Sequence, residues 1–250
     1  MTELLEINGV SKRFGGLQAV QDLSLTVRKG EILGLIGPNG AGKTTVFNLI
    51  NGVHVPNSGR IVFNGTDITG AKPYQIARFG LARTHQIVQP LMNMTVEENC
   101  MVGACFGREN LTLSRARQEA REAIKIVGLK DRASMPALQL TIAGKKRLEL
   151  ARALVARPYL MLLDEVLAGL NPTEVDYMIG VIRQIRDRGV TILIIEHLMR
   201  AIMNLSDRIV VLNFGSKLAE GTPAEVARDA QVIEAYLGDP ALAVELQKRG

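Results

Sequence analysis

The chain has 250 residues, enough for one large domain or for a domain with a sizeable insertion. Its composition, 47% hydrophobic and 22% charged, is typical of a globular protein, and no apolar run approaches the roughly 18 residues that a membrane-spanning helix needs. The net charge of +5 comes with only 4% aromatic residues and scattered Lys and Arg, so we expect no nucleic-acid partner.

The first third of the chain carries β patterns around a glycine-rich loop. Residues 1–6 are acidic and lack the basic start of a signal peptide, so a cytoplasmic location is expected. Asp22–Val27 alternates polar and apolar residues, which predicts a half-buried strand. The mostly apolar Glu31–Ile36 predicts a strand buried on both faces, and a helix is predicted after the loop, over Thr44–Asn51. Gly59–Gly65 is typical of a short strand between turn glycines.

The middle of the chain, from about Ala71 to Arg157, has a helical pattern with few β-branched runs. Within it, Ser114–Gly128 places its alanine, isoleucine and valine side chains on one face and ends on a glycine suited to a C-cap. This pattern predicts an α-helical insertion within an α/β core.

The α/β pattern then returns. Tyr159–Leu163 predicts a buried strand, and Asn171, followed by proline, opens a helix that Gly189 ends. Val190–Ile195 predicts another buried strand, and a hairpin is predicted around Phe214–Ser216. Strand–loop–helix units repeated in this way indicate a mostly parallel α/β fold, with its ligand crevice at the carboxyl ends of the strands.

A phosphate-binding motif directly follows the strand predicted at 31–36. The segment Gly37–Thr44 matches G-x-x-x-x-G-K-[ST] without a mismatch, between a strand and a helix as the motif requires. Glycines let backbone N–H groups close around phosphate oxygens, and the helix N-terminus adds a positive dipole end. Lys43 is predicted to reach the β- and γ-phosphates of ATP, and the Thr44 hydroxyl to ligate Mg²⁺. The predicted nucleotide-binding residues of this loop are Gly37, Pro38, Asn39, Gly40, Ala41, Gly42, Lys43, Thr44 and Thr45.

Two consecutive carboxylates, Asp164 and Glu165, follow the apolar run Leu160–Leu163. Asp164 is predicted to hold Mg²⁺, because this hard cation favours oxygen ligands. Glu165 is predicted to orient the water that attacks the γ-phosphate and to accept its proton. Alone, this dipeptide is at least as typical of a solvated acidic turn, but together with the phosphate-binding loop it favours an ATPase. The N-K-x-D tetrad that is usual for guanine specificity is absent.

The segment ahead of these carboxylates carries a family resemblance. Leu140–Leu154 resembles the L-S-G-G-Q signature and the R-x-x-(L/I)-A-R-A-L helix of ATP-binding cassette (ABC) proteins. From about Leu4 to Gly238 the chain is similar to the ATP-binding subunit of an ABC transporter. The resemblance implies an α/β fold: a P-loop NTPase core, which is a mostly parallel sheet with flanking helices, an N-terminal antiparallel β part and an inserted α-helical subdomain.

The resemblance also implies a domain division. One ABC ATPase domain is expected over residues 1–250. Residues 1–88 and 158–238 are expected to form the catalytic α/β core with the β part, 89–157 the helical subdomain that carries the signature segment, and 239–250 a C-terminal tail.

The same resemblance implies roles for residues that no local pattern singles out. Phe14 matches the aromatic residue that stacks on adenine, with Val20 as its apolar companion. Gln86 matches the glutamine that senses Mg²⁺ and the γ-phosphate, and His197 matches the switch histidine. The implied catalytic residues are Glu165, His197 and Lys43, and the implied Mg²⁺ ligands are Thr44, Gln86 and Asp164.

The signature segment departs from the family pattern at three positions. Its serine is Thr141, its second glycine is Ala143 and its glutamine is Gly144. Thr141 keeps a hydroxyl that can reach the γ-phosphate in a partner subunit, and Ala143 keeps its N–H but adds a Cβ where backbone approaches phosphate closely. Both residues are predicted to contact the partner's nucleotide.

Several short segments resemble the ATPase of the branched-chain amino acid (hydrophobic amino acid uptake) importers: Lys12–Leu17, Phe47–Gly52, Asp67–Gly70, Ala168–Pro172 and Ile233–Gly238. This implies an ATPase that powers solute import at the inner face of the membrane. Its partners are permease subunits, a second ATPase subunit of the same or a different sequence and, indirectly, a periplasmic solute-binding protein. Two alternatives stay open: the ATPase of a lipopolysaccharide or lipid exporter, and a non-transport ABC ATPase that acts on ribosomes or DNA.

Overall fold

A computed structural model describes residues 2–84 and 89–236. Within them the strands are β1 (Glu3–Phe14), β2 (Leu17–Arg28), β3 (Ile32–Ile36), β4 (Ser58–Phe63), β5 (Thr66–Asp67), β6 (Leu81–Arg83), β7 (Leu160–Asp164), β8 (Thr191–Ile195), β9 (Arg208–Asn213) and β10 (Ser216–Gly221). The α-helices there are α1 (Lys43–Ile50), α2 (Pro73–Phe79), α3 (Val96–Phe106), α4 (Leu113–Ile126), α5 (Ile142–Leu154), α6 (Pro172–Asp187), α7 (Met199–Leu205), α8 (Pro223–Arg228) and α9 (Ala230–Tyr236). The chain divides into two compact units, residues 1–76 with 191–250 and residues 77–190.

The first unit contains an antiparallel sheet in the order β2-β1-β4-β5. β1 and β2 are both 12 residues long, and buried apolar side chains recur along them between exposed ones. This alternation buries one face of the hairpin and leaves the other polar. The N-terminal antiparallel β part implied by the sequence is confirmed.

The first unit also contains the parallel strands. β3 lies between β8 and β9 and is parallel to both, while β10 pairs with β9 in the antiparallel direction. Every residue of β3 and β8 is buried, as their apolar runs predict for strands covered on both faces. Phe214 and Gly215, with φ values of 44° and 80°, form the turn of the β9–β10 hairpin. Two successive residues with positive φ are typical of a type I′ turn, and the predicted hairpin is confirmed.

A buried ion cluster ties several strands of this unit together. Arg208, the first residue of β9, donates through Nη2 to Glu31 Oε1 at 2.7 Å and to Thr26 O at 2.6 Å, and its Nη1 pairs with Glu220. Burial alone would lower the pKa of Arg208, but the hydrogen bond and the charge of Glu31 outweigh it and raise that pKa. The cluster therefore links β2, β9 and β10 to the turn before β3.

The second unit combines the parallel pair β6–β7 with helices α3 to α6. α3, α4 and α5 pack against one another, and the predicted helical subdomain, 89–157, lies within this unit. α6 begins with a capping box, in which Asn171 and Glu174 each accept a hydrogen bond from the other's backbone N–H. The buried stripe of α6 includes Val175, Met178, Ile179, Ile182 and Ile185.

One strand contradicts the sequence prediction. Leu81–Arg83 lies in the stretch that was predicted to be helical, yet it forms β6 beside β7. Three residues are too few for an alternating pattern, and the partner strand lies about 80 residues further along the chain. The helix predicted to end at Gly128 is confirmed, since α4 ends at Ile126 and Gly128 has a φ of 69°.

Within residues 2–84 and 89–236, no helix combines the length and the apolar character that crossing a membrane requires.

Candidate functional site

The loop between β3 and α1 has a backbone conformation that depends on glycine. Gly37, Gly40 and Gly42 have φ values of 154°, 81° and 99°. A Cβ on Gly37 would collide with the carbonyl oxygen of Leu212, and one on Gly42 with that of Ala19. These glycines therefore let the backbone pass close to its neighbours in a conformation that other residues rarely adopt.

Lys43, the first residue of α1, concentrates positive charge at this loop. Its side chain is largely buried, and Nζ donates hydrogen bonds to Gly37 O at 2.6 Å and to Pro38 O at 2.9 Å. The next residue, Thr44, is exposed, and Thr45 is half-buried. The ammonium, the backbone N–H groups at the start of α1 and the helix dipole together favour an anion such as a phosphate.

Two distant segments of the same unit support this loop. Gly215, in the β9–β10 turn, donates from N to Ala41 O at 3.1 Å and accepts a hydrogen bond on O from Gln21 N at 2.8 Å. The buried Val20, implied by the resemblance as the apolar companion of Phe14, follows Ala19, and the carbonyl of Ala19 lies close to Gly42. Local sequence patterns did not reveal this support, because the hairpin lies about 170 residues from the loop.

Phe14 lies at the carboxyl end of β1 with 41% of its surface exposed. Its ring makes an edge contact with His54 at a centroid distance of 5.0 Å, and Lys12 Nζ lies 5.1 Å from its centroid. The exposed ring can still accept a stacked base. No sequence motif includes His54, but in the structure it is a neighbour of this aromatic.

His197 lies just after β8 and is exposed. Because β8 is the parallel neighbour of β3, the carboxyl ends of both strands lie at the same edge of the sheet. The structure thus brings the glycine loop and His197 to one edge of the first unit. Gln86, the remaining residue predicted to sense the γ-phosphate, lies outside the described residues, as does the tail 239–250.

In the second unit, Asp164 ends β7 and is held by β6. Its Oδ2 accepts a hydrogen bond from Arg83 Nη2 at 2.8 Å, and the two side chains are only 5% and 7% exposed. The backbone N–H of Asp164 donates to Thr84 Oγ1 at 3.2 Å. Arg83 was not predicted, because its relation to Asp164 appears only when β6 and β7 pair.

Glu165 follows Asp164 with an unusual backbone. Its φ is 49°, in the left-handed region that costs a non-glycine residue about 1–2 kcal/mol. Its carbonyl oxygen accepts hydrogen bonds from Lys146 Nζ at 2.8 Å and from Ala168 N at 3.3 Å. These donors stabilise a conformation that the isolated chain would disfavour, and the side chain of Glu165 is half-buried.

The signature segment forms the start of α5. Thr141 is the N-cap, and its Oγ1 accepts a hydrogen bond from Gly144 N at 3.2 Å. A capping hydroxyl keeps its own proton for donation, so the exposed Thr141 can still bind another group. The side chain of Ala143 is buried within the unit.

Comparisons with known proteins identify a family and individual relatives. The family model described as "ABC transporter" matches residues 20–168, and the one described as "Branched-chain amino acid ATP-binding cassette transporter" matches residues 216–241. The high-affinity branched-chain amino acid transport ATP-binding protein LivG of Salmonella typhimurium is 42% identical, over 94% of this chain and 98% of LivG. BraF of Pseudomonas aeruginosa, which carries the same description, is 40% identical over the same shares.

Solved structures give the same family. The ADP conformation of MJ1267, an ATP-binding cassette of an ABC transporter, is 30% identical with a TM-score of 0.86, over 96% of this chain and 100% of that one. The dimeric bacterial ABC transporter cassette MJ0796 is 21% identical with a TM-score of 0.79, over 88% of this chain and 99% of that one. The second likeness concerns the fold alone.

Proposed function

The chain belongs to the ABC transporter family of ATP-binding cassette proteins, and from this premise we propose that it hydrolyses ATP to power the import of branched-chain amino acids or related small solutes. The observation that carries the ATPase part is the glycine loop, with the buried ammonium of Lys43 held over it at the start of α1. The solute is inferred from the similarity to LivG and BraF and from the match of residues 216–241.

In this proposal each group of residues has a separate task. The loop amides and Lys43 bind the phosphates and stabilise charge that develops on the γ-phosphoryl group. Glu165 orients the attacking water and accepts its proton, and His197 contacts the γ-phosphate. Phe14 stacks on the adenine base.

The residues also fit a Mg²⁺ ion. Thr44 offers an exposed hydroxyl and Asp164 a carboxylate, and Mg²⁺ prefers such oxygen ligands together with substrate phosphates. When bound, the ion would neutralise phosphate charge. Arg83 Nη2 donates to one oxygen of that carboxylate, Oδ2, at 2.8 Å and so restrains its position.

We further propose that the chain acts with partners at the cytoplasmic face of the membrane. These are permease subunits, a second ATPase subunit whose nucleotide Thr141 and Ala143 contact, and indirectly a periplasmic solute-binding protein. The exposed hydroxyl of Thr141 at the start of α5 supports this role.

Replacing Lys43 by methionine tests the ATPase assignment. Losing the ammonium should lower kcat for ATP hydrolysis by about 10²–10³-fold, the usual effect of removing one charge-stabilising donor. Lys72→Met, which removes an exposed lysine from the same unit, is the control and should retain full activity. Equal kcat values for the two variants would refute the role of the loop.

The solute is tested by transport. The chain, assembled with its permease in vesicles, should support ATP-dependent uptake of leucine, isoleucine or valine. ATP hydrolysis that responds to lipopolysaccharide and not to these amino acids would assign the exporter alternative instead.

A further inference from the structure

Lys146 connects α5 to the turn that carries Glu165. The residue is only 6% exposed, although lysine side chains are seldom buried. Its Nζ lies 2.8 Å from Glu165 O, within strong hydrogen-bond distance. A buried ammonium needs such acceptors, because burial removes most of its hydration and an unpaired charge is then costly.

The acceptor of this bond belongs to a residue whose backbone is strained. Glu165 has a φ of 49°, a left-handed conformation, and its carbonyl accepts a backbone hydrogen bond from Ala168 N at 3.3 Å. Because Cβ is fixed relative to the backbone, the φ of Glu165 sets the direction in which its carboxylate leaves the chain. A donor that holds the carbonyl therefore also holds the direction of the carboxylate.

The donor, Lys146, lies on α5, the helix that begins at the signature residue Thr141. α5 begins at the N-cap Thr141, and Lys146 lies five positions further along the same helix. A regular helix moves as one body over so short a span, because each residue is fixed by i→i−4 hydrogen bonds. A displacement of the Thr141 end would reach Glu165 through Lys146.

We propose that Lys146 is a positioning residue for ATP hydrolysis: its ammonium orients Glu165 through the Glu165 carbonyl and ties that orientation to α5. The proposal rests on the proposed function, in which Glu165 orients the attacking water and Thr141 contacts a partner's nucleotide. It makes the signature helix of one subunit a determinant of hydrolysis in that same subunit.

Three variants of the full chain test the proposal, in the assembly in which it hydrolyses ATP. Lys146→Met removes the donor and keeps the apolar stem, Lys146→Arg keeps a charged donor, and Lys125→Met removes an exposed lysine from α4. Lys146→Met should lower kcat by about 10²-fold, the loss that a misplaced catalytic group produces, and leave the dissociation constant for ATP unchanged. Lys146→Arg should recover most of kcat, and Lys125→Met should behave as the wild type.

A second measurement separates positioning from a general effect on α5. In a Glu165→Gln background, where hydrolysis is blocked, ATP should drive association of the ATPase subunits equally well with Lys146 and with Lys146→Met. If Lys146→Met abolishes this association, Lys146 acts through the signature segment and the proposal is wrong.

The remaining outcomes are also distinct. An unchanged kcat in Lys146→Met, or one that Lys146→Arg fails to restore, overturns the proposal while the proposed function stands. If the wild type and Lys125→Met both lack ATP hydrolysis, the proposed function itself fails. If Lys146→Met does not fold, as judged by circular dichroism, Lys146→Gln replaces it with the same expectations.

Discussion

The pair formed by Arg83 and Asp164 gives a sharp prediction about stability. Replacing Arg83 by methionine keeps the apolar stem but leaves the Asp164 carboxylate, only 5% exposed, without this 2.8 Å partner. Removing one member of a buried ion pair costs about 3–5 kcal/mol, because an uncompensated charge then stays in a medium that solvates it poorly. Arg83→Met should therefore destabilise the chain by an amount in that range.

The assay is equilibrium unfolding in urea, supported by thermal melting. For a chain of this length, about 1 kcal/mol shifts the melting temperature by about 2–4 °C, so the expected shift is roughly 6–20 °C. Arg121→Met is the matched control, because it breaks the exposed ion pair with Glu97, in which Arg121 is 66% exposed. Such surface pairs contribute at most about 1 kcal/mol.

The double variant Arg83→Met/Asp164→Asn tests whether the unpaired charge of Asp164 causes the loss of stability. This variant has neither charge of the pair. It should be more stable than Arg83→Met alone, because Asp164→Asn removes the buried carboxylate charge that Arg83→Met leaves without its partner. The reasoning is refuted if Arg83→Met costs no more than Arg121→Met, or if neutralising Asp164 brings no recovery.

Two further predictions concern the first unit. Gly42→Ala should destabilise the chain more than Gly40→Ala does, as measured by urea unfolding. Both positions have positive φ, which costs alanine about 1–2 kcal/mol, but of these two only position 42 would bring a Cβ against a backbone carbonyl. Equal losses of stability in the two variants would contradict this. Burial alone would raise the pKa of Glu220, but hydrogen bonds and charges from Lys217 and Arg208 outweigh it and lower that pKa below its ordinary value of 4.5. A lowered pKa means that the unfolded chain binds more protons, so this stabilisation is present above pH 4.5 and is lost as the pH falls through the pKa of the folded state. Urea unfolding of Glu220→Gln between pH 3 and pH 6 should show a flatter fall in stability than the wild type, and equal slopes would count against it.

The fold could be predicted wherever the sequence repeats one local pattern for long enough. β3 and β8 are continuous apolar runs, and α6 combines a cap, an N-terminal proline and an apolar stripe, so each was predicted close to its observed bounds. β6 was missed because three residues carry no periodicity and its stability comes from pairing with β7. Tertiary pairing decided the structure of that segment, as it often does for short strands.

In the candidate site, too, residues within local motifs could be predicted, whereas residues that depend on tertiary contacts could not. The glycine loop and the Asp164–Glu165 pair could be proposed from the sequence, because phosphate binding and metal coordination demand particular residues at fixed local spacing. The residues that support the carboxylate pair could not be predicted, because they are distant in sequence. Arg83 lies 81 residues from Asp164, and Lys146 lies 19 residues from Glu165. No local pattern tells which of the chain's 30 Lys and Arg residues meets the Asp164 carboxylate or the Glu165 carbonyl.

The loop glycines and the residues that support the site should tolerate different substitutions. A loop glycine is fixed by steric contact and φ, so no other residue can replace it without strain. A supporting residue is fixed only by the bond it makes, and more than one side chain can make that bond: Lys146 needs a buried donor that reaches Glu165 O, and arginine is one. Fewer residues can replace Arg83, because it is buried against a carboxylate and any replacement must keep the positive charge. Position 146 should therefore tolerate more substitutions than position 83, because a hydrogen bond to a carbonyl requires a donor, whereas a buried carboxylate requires a counter-charge.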